Sequence, residues 1–222
     1  MRGTLVFDLD GTLAETAPDI MGTLNILLQQ EGLPALPVSQ ARALVGAGAR
    51  ALIERGFRVA GVPLEPQRLD ALFAQFLPVY LDRVAAESFL FPGVEAALER
   101  LAAAGFRLAV CTNKPEPHSI ALLEALGIRH RFAAIVGRET FPFFKPDPRV
   151  LAETIRLSGG EGAPAIMIGD SLTDIATARA LGIPVIGVTF GYTDQPIETL
   201  SPDRIITHFD ALDGAVESLM AA

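Results

Sequence analysis

Leu5-Val6-Phe7-Asp8-Leu9-Asp10-Gly11-Thr12 decides how the rest of the chain is read. Leu5, Val6 and Phe7 form a short apolar run with strand character, and Gly11 breaks it. Asp8 and Asp10 stand at i and i+2, a spacing that turns both carboxylates to one side of an extended segment. Two acids at the end of a buried strand repel each other and lose water, and a cation or a proton must compensate. The stretch points to a metal-assisted catalytic site.

Outward from it, 222 residues allow one large domain or a core with an insert. Hydrophobic residues make up 50% of the chain, enough for a sizeable core. The net charge of −8 disfavours nucleic acid and anionic membrane as partners while permitting a small anionic substrate. Cys111 is the single cysteine, which fits a reducing compartment. No secretory leader and no bilayer-length apolar stretch is evident, so a cytoplasmic protein is expected. The oligomeric state cannot be read. Lys114 and Lys145 are the only lysines, each in a predicted loop just after an apolar run.

Pro18 to Gln30 has apolar residues at helical spacing, and Ser39 caps a short helix ending near Gly46. Ala49 to Ala60 and Pro66 to Ala86 also read as helical, with Pro78 kinking or starting a segment. No strand is evident from Ala14 to Ala86. Beyond Phe91-Pro92-Gly93, strands near 107–112, 135–136, 165–168, 185–188 and 205–206 alternate with helices. This alternation predicts an α/β fold, a Rossmann-like parallel sheet covered by helices, which the opening strand must join. Residues 15–86 then form an inserted all-helical cap, and 1–14 with 87–222 form the core.

Ligands of such sheets bind at the carboxyl ends of the strands. Those ends carry Asp8 and Asp10, Thr112 and Asn113, Lys145, and Asp170 with Asp174 one helical turn on. Carboxylates, a hydroxyl, an amide and an ammonium on one edge suit phosphoryl transfer, with oxygen ligands for Mg2+ and donors for phosphate.

Asp8-Leu9-Asp10-Gly11-Thr12, Thr112-Asn113, Lys145-Pro146 and Gly169-Asp170-Ser171-Leu172-Thr173-Asp174 resemble, in order and spacing, the four motifs of the haloacid dehalogenase superfamily. The likeness spans the whole chain, including a helical cap after the first motif. Gly46-Ala47-Gly48-Ala49-Arg50 and the tail from Val188-Thr189-Phe190-Gly191-Tyr192 resemble the phosphoglycolate phosphatase branch. The chain departs from that branch at Ala14-Glu15-Thr16, where an apolar residue followed by Asp-Ser is more usual.

The resemblance implies a Mg2+-dependent phosphomonoesterase acting on a small metabolite, 2-phosphoglycolate first. Asp8 is the implied nucleophile, and Asp10 the acid toward the leaving oxygen and then the base for water. Asp8, the Asp10 carbonyl and Asp170 are the implied metal ligands. Thr112 and Asn113 hold the phosphoryl group, Lys145 neutralises charge, and Asp174 supports the site through Lys145 or a metal-bound water. Arg50 is a candidate for a substrate carboxylate. With Lys145 as the only cation counted, the four acids balance only when a metal is present.

Among alternatives, a dehalogenase would lack Asp10, and a phosphonatase would need a cap lysine, of which residues 14–86 have none. A sugar-phosphate phosphatase or mutase stays open. A receiver-like signalling module shares the acids and the lysine, but this chain is too long for one. A silent scaffold is at odds with intact motifs. Gly46 to Ala51 also fits G-x-G-x-x-A with Asp70 about 20 residues on, but no strand precedes it, so nucleotide binding is set aside. Cys111 reads as a buried inert thiol. His118, His130 and His208 read as surface or helix-end residues.

Overall fold

The computed structural model describes residues 2–40, 44–45, 48–193 and 195–221. The chain opens with β1 (Gly3–Phe7) and the two-residue β2 (Ala14–Glu15), followed by α1 (Ala17–Gln30), α2 (Ala49–Val59) and α3 (Pro66–Leu81). After β3 (Phe89–Leu90) come α4 (Val94–Ala103), β4 (Phe106–Cys111), α5 (Glu116–Ala125), β5 (Ala134–Val136) and α6 (Pro148–Leu157). The chain continues through β6 (Ala165–Gly169), α7 (Leu172–Leu181), β7 (Val185–Val188), β8 (Arg204–Ile206) and α8 (Leu212–Met220). It divides into two compact units, Met1–Glu15 with Leu90–Ala222, and Thr16–Phe89.

The first unit is built on a six-stranded sheet of order β5-β4-β1-β6-β7-β8, parallel throughout. All five residues of β1 and of β6 are buried, which explains why Leu5–Phe7 and Ala165–Ile168 run apolar without a break: a strand covered on both faces has no reason to alternate. Val6, Ala109, Cys111 and Met167 of the sheet pack with Val150 and Leu151 of α6 and Ile175 of α7. Parallel strands all end at one edge. The chain lays β4 and β5 on one side of β1 and then crosses to β6 on the other. The crevice created by that reversal opens beside the ends of β1 and β6.

The second unit is a helical packet. Ile20, Leu24, Leu27 and Leu28 form the buried stripe of α1 that the spacing predicts. Leu52, Ile53 and Phe57 of α2 and Leu69, Leu72 and Phe76 of α3 are buried with it. Gly56 lets α2 approach closely, since a Cβ there would lie 2.6 Å from Leu24 Cδ2. Asp19 is fully buried on α1. Its Oδ2 accepts the Glu87 N–H (2.9 Å), the Ser88 N–H (2.8 Å) and the Ser88 hydroxyl (2.7 Å), pinning the last residues of this unit to its first helix.

Several local expectations change. The α3 helix runs through Pro78 and ends at Leu81, with turns beyond it instead of helix to Ala86. Pro78 lies in the final turn, so its missing N–H removes one bond close to where the helix stops anyway, and its carbonyl still accepts from the Asp82 N–H (3.1 Å). Ala14–Glu15 is a short strand in a stretch expected to have none. Val38–Gln40 is a 3₁₀ turn; the short helix expected after Ser39 falls largely on residues outside those described, as do Gly46 and Ala47. His118 is at a helix end as read, but is buried on the face of α5 that also buries Ser119, Leu122 and Leu123.

Candidate active site

Asp8 is the first residue beyond β1. Its N–H donates to the Ile168 carbonyl of β6 (2.9 Å), which places its side chain at the crevice. Asp8 Oδ1 accepts the Leu9 N–H (2.7 Å) and lies 3.0 Å from Lys145 Nζ. The same ammonium lies 2.5 Å from Asp174 Oδ1. Asp170 is the first residue beyond β6. Its Oδ1 accepts the Thr12 hydroxyl (3.1 Å), and its Oδ2 accepts the Tyr192 N–H (2.6 Å). Asp8, Asp170 and Asp174 each bring a carboxylate oxygen within 4.8 Å of the others, and all three are buried.

Electrostatics follow from that geometry. Burial pushes the Asp8 carboxyl up to about 6, with Asp174 adding to the rise and Lys145 opposing it. Burial, then the charges of Asp174 and Asp8, push Asp170 up to about 8 against the pull of the Tyr192 N–H and the Thr12 hydroxyl. Burial alone would lower Lys145, but Asp174 and Asp8 more than offset it, and the ammonium is held firmly charged. The site thus has more negative charge than its lysine can neutralise. Three hard oxygen donors in one buried cluster are the donor set that a small divalent cation takes.

Asp174 is also committed to its helix. Ser171 caps α7 in a reciprocal box, its N–H (3.1 Å) and hydroxyl (2.6 Å) donating to Asp174 Oδ2. With Lys145 on its other oxygen, Asp174 orients the lysine as well as the helix start. Asp10 does not join the cluster. Its carboxylate meets Lys114 Nζ at 2.9 and 3.2 Å. The acid pair expected to repel is therefore divided, with Asp8 beside Lys145 and Asp10 beside Lys114. This corrects the charge count made on Lys145 alone: Lys114 is a second buried cation, and the negative excess is smaller than expected though not removed.

Thr112 and Asn113 follow β4. The Thr112 hydroxyl oxygen accepts the Lys114 N–H (3.2 Å), and Asn113 Nδ2 donates to the Lys145 carbonyl (2.9 Å), so the loops carrying the two lysines are tied together. The Lys145–Pro146 peptide is cis. Arg50 lies on α2 and forms an ion pair with Asp70 of α3. The spacing of about 20 residues that imitates a dinucleotide fingerprint is thus an ion pair across two helices. Burial pushes the Cys111 thiol up to about 11, in keeping with an inert group. Lys114, Thr12 and Tyr192 received no role from sequence. For Lys114 the available signal was the rarity of lysine in this chain.

Residues 3–182 match the haloacid dehalogenase-like hydrolase family, and the chain belongs to it. It is 49% identical to a phosphoglycolate phosphatase of Mesorhizobium japonicum over 211 residues, covering 95% of this chain and 93% of the relative. It is 50% identical to a phosphoglycolate phosphatase of Caulobacter vibrioides over 206 residues, covering 93% and 87%. A crystal structure of a predicted phosphoglycolate phosphatase from Haemophilus somnus superposes with a TM-score of 0.86 at 33% identity, covering 96% of this chain and 97% of that one. The protein is a phosphatase of the phosphoglycolate phosphatase-like branch, with an aspartate cluster suited to an aspartyl-phosphate mechanism. Its substrate class is a small phosphorylated metabolite. Among the described residues no helix is long and apolar enough to cross a membrane.

Proposed function

We propose that the protein is a Mg2+-dependent phosphomonoesterase that hydrolyses 2-phosphoglycolate to glycolate and phosphate. The observation that carries this reading is the buried trio Asp8, Asp170 and Asp174 with Lys145 between two of them. The relatives named above supply the substrate. Asp8, Asp170 and the backbone carbonyl of Asp10 would hold the ion, since Asp174 is already engaged by Lys145 and Ser171. When bound, Mg2+ supplies positive charge against the phosphate oxygens and the crowded carboxylates.

In the first half-reaction a carboxylate oxygen of Asp8 attacks phosphorus. The ester P–O bond breaks, and Asp10 gives its proton to the departing alkoxide. In the second, Asp10 takes a proton from water as that water attacks the aspartyl-phosphate, releasing phosphate and restoring Asp8. Lys145 neutralises charge on Asp8 and on the transferred group. Thr112 and Asn113 donate to the phosphoryl oxygens, and Lys114 holds the Asp10 carboxylate in one orientation. The domain division behind this reading is a core of residues 1–14 and 87–222 with a specificity cap of residues 15–86. On that cap, Arg50 exchanges Asp70 for the carboxylate of phosphoglycolate.

Phosphate release measured across small phosphomonoesters tests the proposal. Phosphoglycolate with Mg2+ is expected to be turned over ahead of sugar phosphates and nucleotides, and EDTA is expected to stop turnover reversibly. Full activity in chelator would overturn the metal assignment. Preference for a sugar phosphate, or its isomerisation without phosphate release, would overturn the substrate.

A further inference from the structure

We infer that Tyr192 and Glu15 are positioning residues for the divalent-cation site, acting through Asp170. The inference rests on the reading of Asp170 as a metal ligand. Asp170 is gripped from two short segments. Thr12 donates to Oδ1 and the Tyr192 N–H donates to Oδ2. Both segments approach so closely that only glycine fits beside them. A Cβ on Gly11, whose φ is +80°, would lie 2.6 Å from Asp170 Oδ2 and 2.9 Å from Tyr192 Cδ2. A Cβ on Gly191 would lie 2.2 Å from Asp170 Cβ.

The two segments are also joined to each other. The Tyr192 ring is 4% exposed, and its hydroxyl donates to Glu15 Oε1. Glu15 lies in β2, directly after the turn that carries Thr12, and that turn is closed by the Gly11 N–H on the Ala14 carbonyl (2.9 Å). The result is a ring of contacts running from Asp170 to Thr12, along the turn to Glu15, across to Tyr192 and back to Asp170. Each carboxylate oxygen has one donor, and the two donors are held at a fixed separation by the Tyr192–Glu15 bond. A ligand carboxylate held this way cannot rotate away from the ion without breaking a buried hydrogen bond. Groups that orient a ligand in this manner set metal affinity without touching the metal. The hydroxyl of Tyr192 has no other part in the proposed chemistry, so its effect is separable from catalysis.

Metal binding is measured directly on the full, metal-free protein, by calorimetric titration with Mg2+ and by the spin-resonance signal of free Mn2+, without substrate. The wild type, the Asp170→Asn, Tyr192→Phe, Glu15→Ala and Glu15→Gln variants, and the double variant Tyr192→Phe with Glu15→Ala are compared, with folding checked by circular dichroism. The expected result is that Asp170→Asn abolishes binding. Tyr192→Phe and Glu15→Ala should each weaken it about three- to tenfold, at or below the lower end of typical outer-shell effects. The double variant should be no weaker than either single change, because both remove one bond. Glu15→Gln should recover most of the affinity, since its amide oxygen still accepts the hydroxyl. Wild-type affinity in both Tyr192→Phe and Glu15→Ala, or additive losses in the double variant, would overturn the inference while leaving the metal site standing. Undiminished binding by Asp170→Asn would overturn the reading of Asp170 itself, and the inference with it. If Tyr192→Phe does not fold, Glu15→Ala and Glu15→Gln decide alone: equal affinities in these two overturn the inference.

Discussion

Asp19 in the inserted unit and the trio Asp8, Asp170 and Asp174 in the core are buried to a similar depth, yet they are accommodated in opposite ways. Three donors converge on one oxygen of Asp19, two of them backbone N–H groups, and Arg83 lies 3.5 Å from the other oxygen. This is one negative charge amply answered, the signature of an acid kept to hold backbone in place. In the core, one ammonium lies beside two of three clustered carboxylates, and Asp8 and Asp170 are pushed well above the ordinary carboxylate range. Burial alone does not mark a site; a shortage of compensating charge does.

The sharpest way to break the comparison is to neutralise one acid of each kind. Asp8→Asn should lower the phosphatase rate roughly 10⁴-fold or more, as loss of a nucleophile does. Asp19→Asn should leave kcat within a few-fold while lowering stability by about 1–3 kcal/mol, the cost of a weakened buried hydrogen-bond set. Steady-state kinetics and denaturant titration of both variants check this. A large kcat loss in Asp19→Asn would mean that the two burials are not different in kind.

Next in size is the pH dependence of stability without metal. Asp8 and Asp170 rise from 3.8 toward about 6 and about 8 in the folded state, so the fold keeps protons that the unfolded chain releases. Their contribution is then full below pH 3.8 and is lost as pH rises through about 6 and about 8. Thermal melts in EDTA should show the wild-type Tm falling across this range relative to Asp170→Asn, which removes the upper part of the loss. Added Mg2+ at pH 8 should raise the wild-type Tm by mass action.

The smallest effect is expected at Arg50. Its partner Asp70 is 61% exposed and its own side chain 49%, so Arg50→Ala should cost under about 1 kcal/mol of stability. A higher KM for phosphoglycolate with unchanged KM for a phosphate lacking a carboxylate would support the proposed substrate contact, and equal changes would reject it.

The core was legible because its acids directly follow strands whose unbroken apolar runs are short and punctuated by glycine, so sequence order maps onto one sheet edge. Asp8 after β1 and Asp170 after β6 are of this kind. Residues whose role depends on a distant partner were not legible. Lys114 sits beside Thr112-Asn113 in sequence, but nothing local says that it faces Asp10. Asp19 looks like an ordinary acid in the first turn of a helix until the return of the chain at Glu87 and Ser88 brings its donors. Tyr192 belonged to a stretch recognised as family-like, yet its grip on Asp170 is a backbone contact, to which side-chain chemistry gives no clue. Arg50 and Asp70 show the converse, a pattern of spacing that a cross-helix pairing explains.

Thr12 and Asp170 are 158 residues apart in the chain, yet they share a hydrogen bond because β1 lies between strands made much later. During synthesis Asp8 emerges long before Lys145, Asp170 and Asp174 exist. The growing polypeptide therefore holds the proposed nucleophile without its neighbours, and a product cut short before β6 would lack two of the three clustered acids. The acid cluster closes late, when the last of these side chains reaches the edge where the first has been waiting.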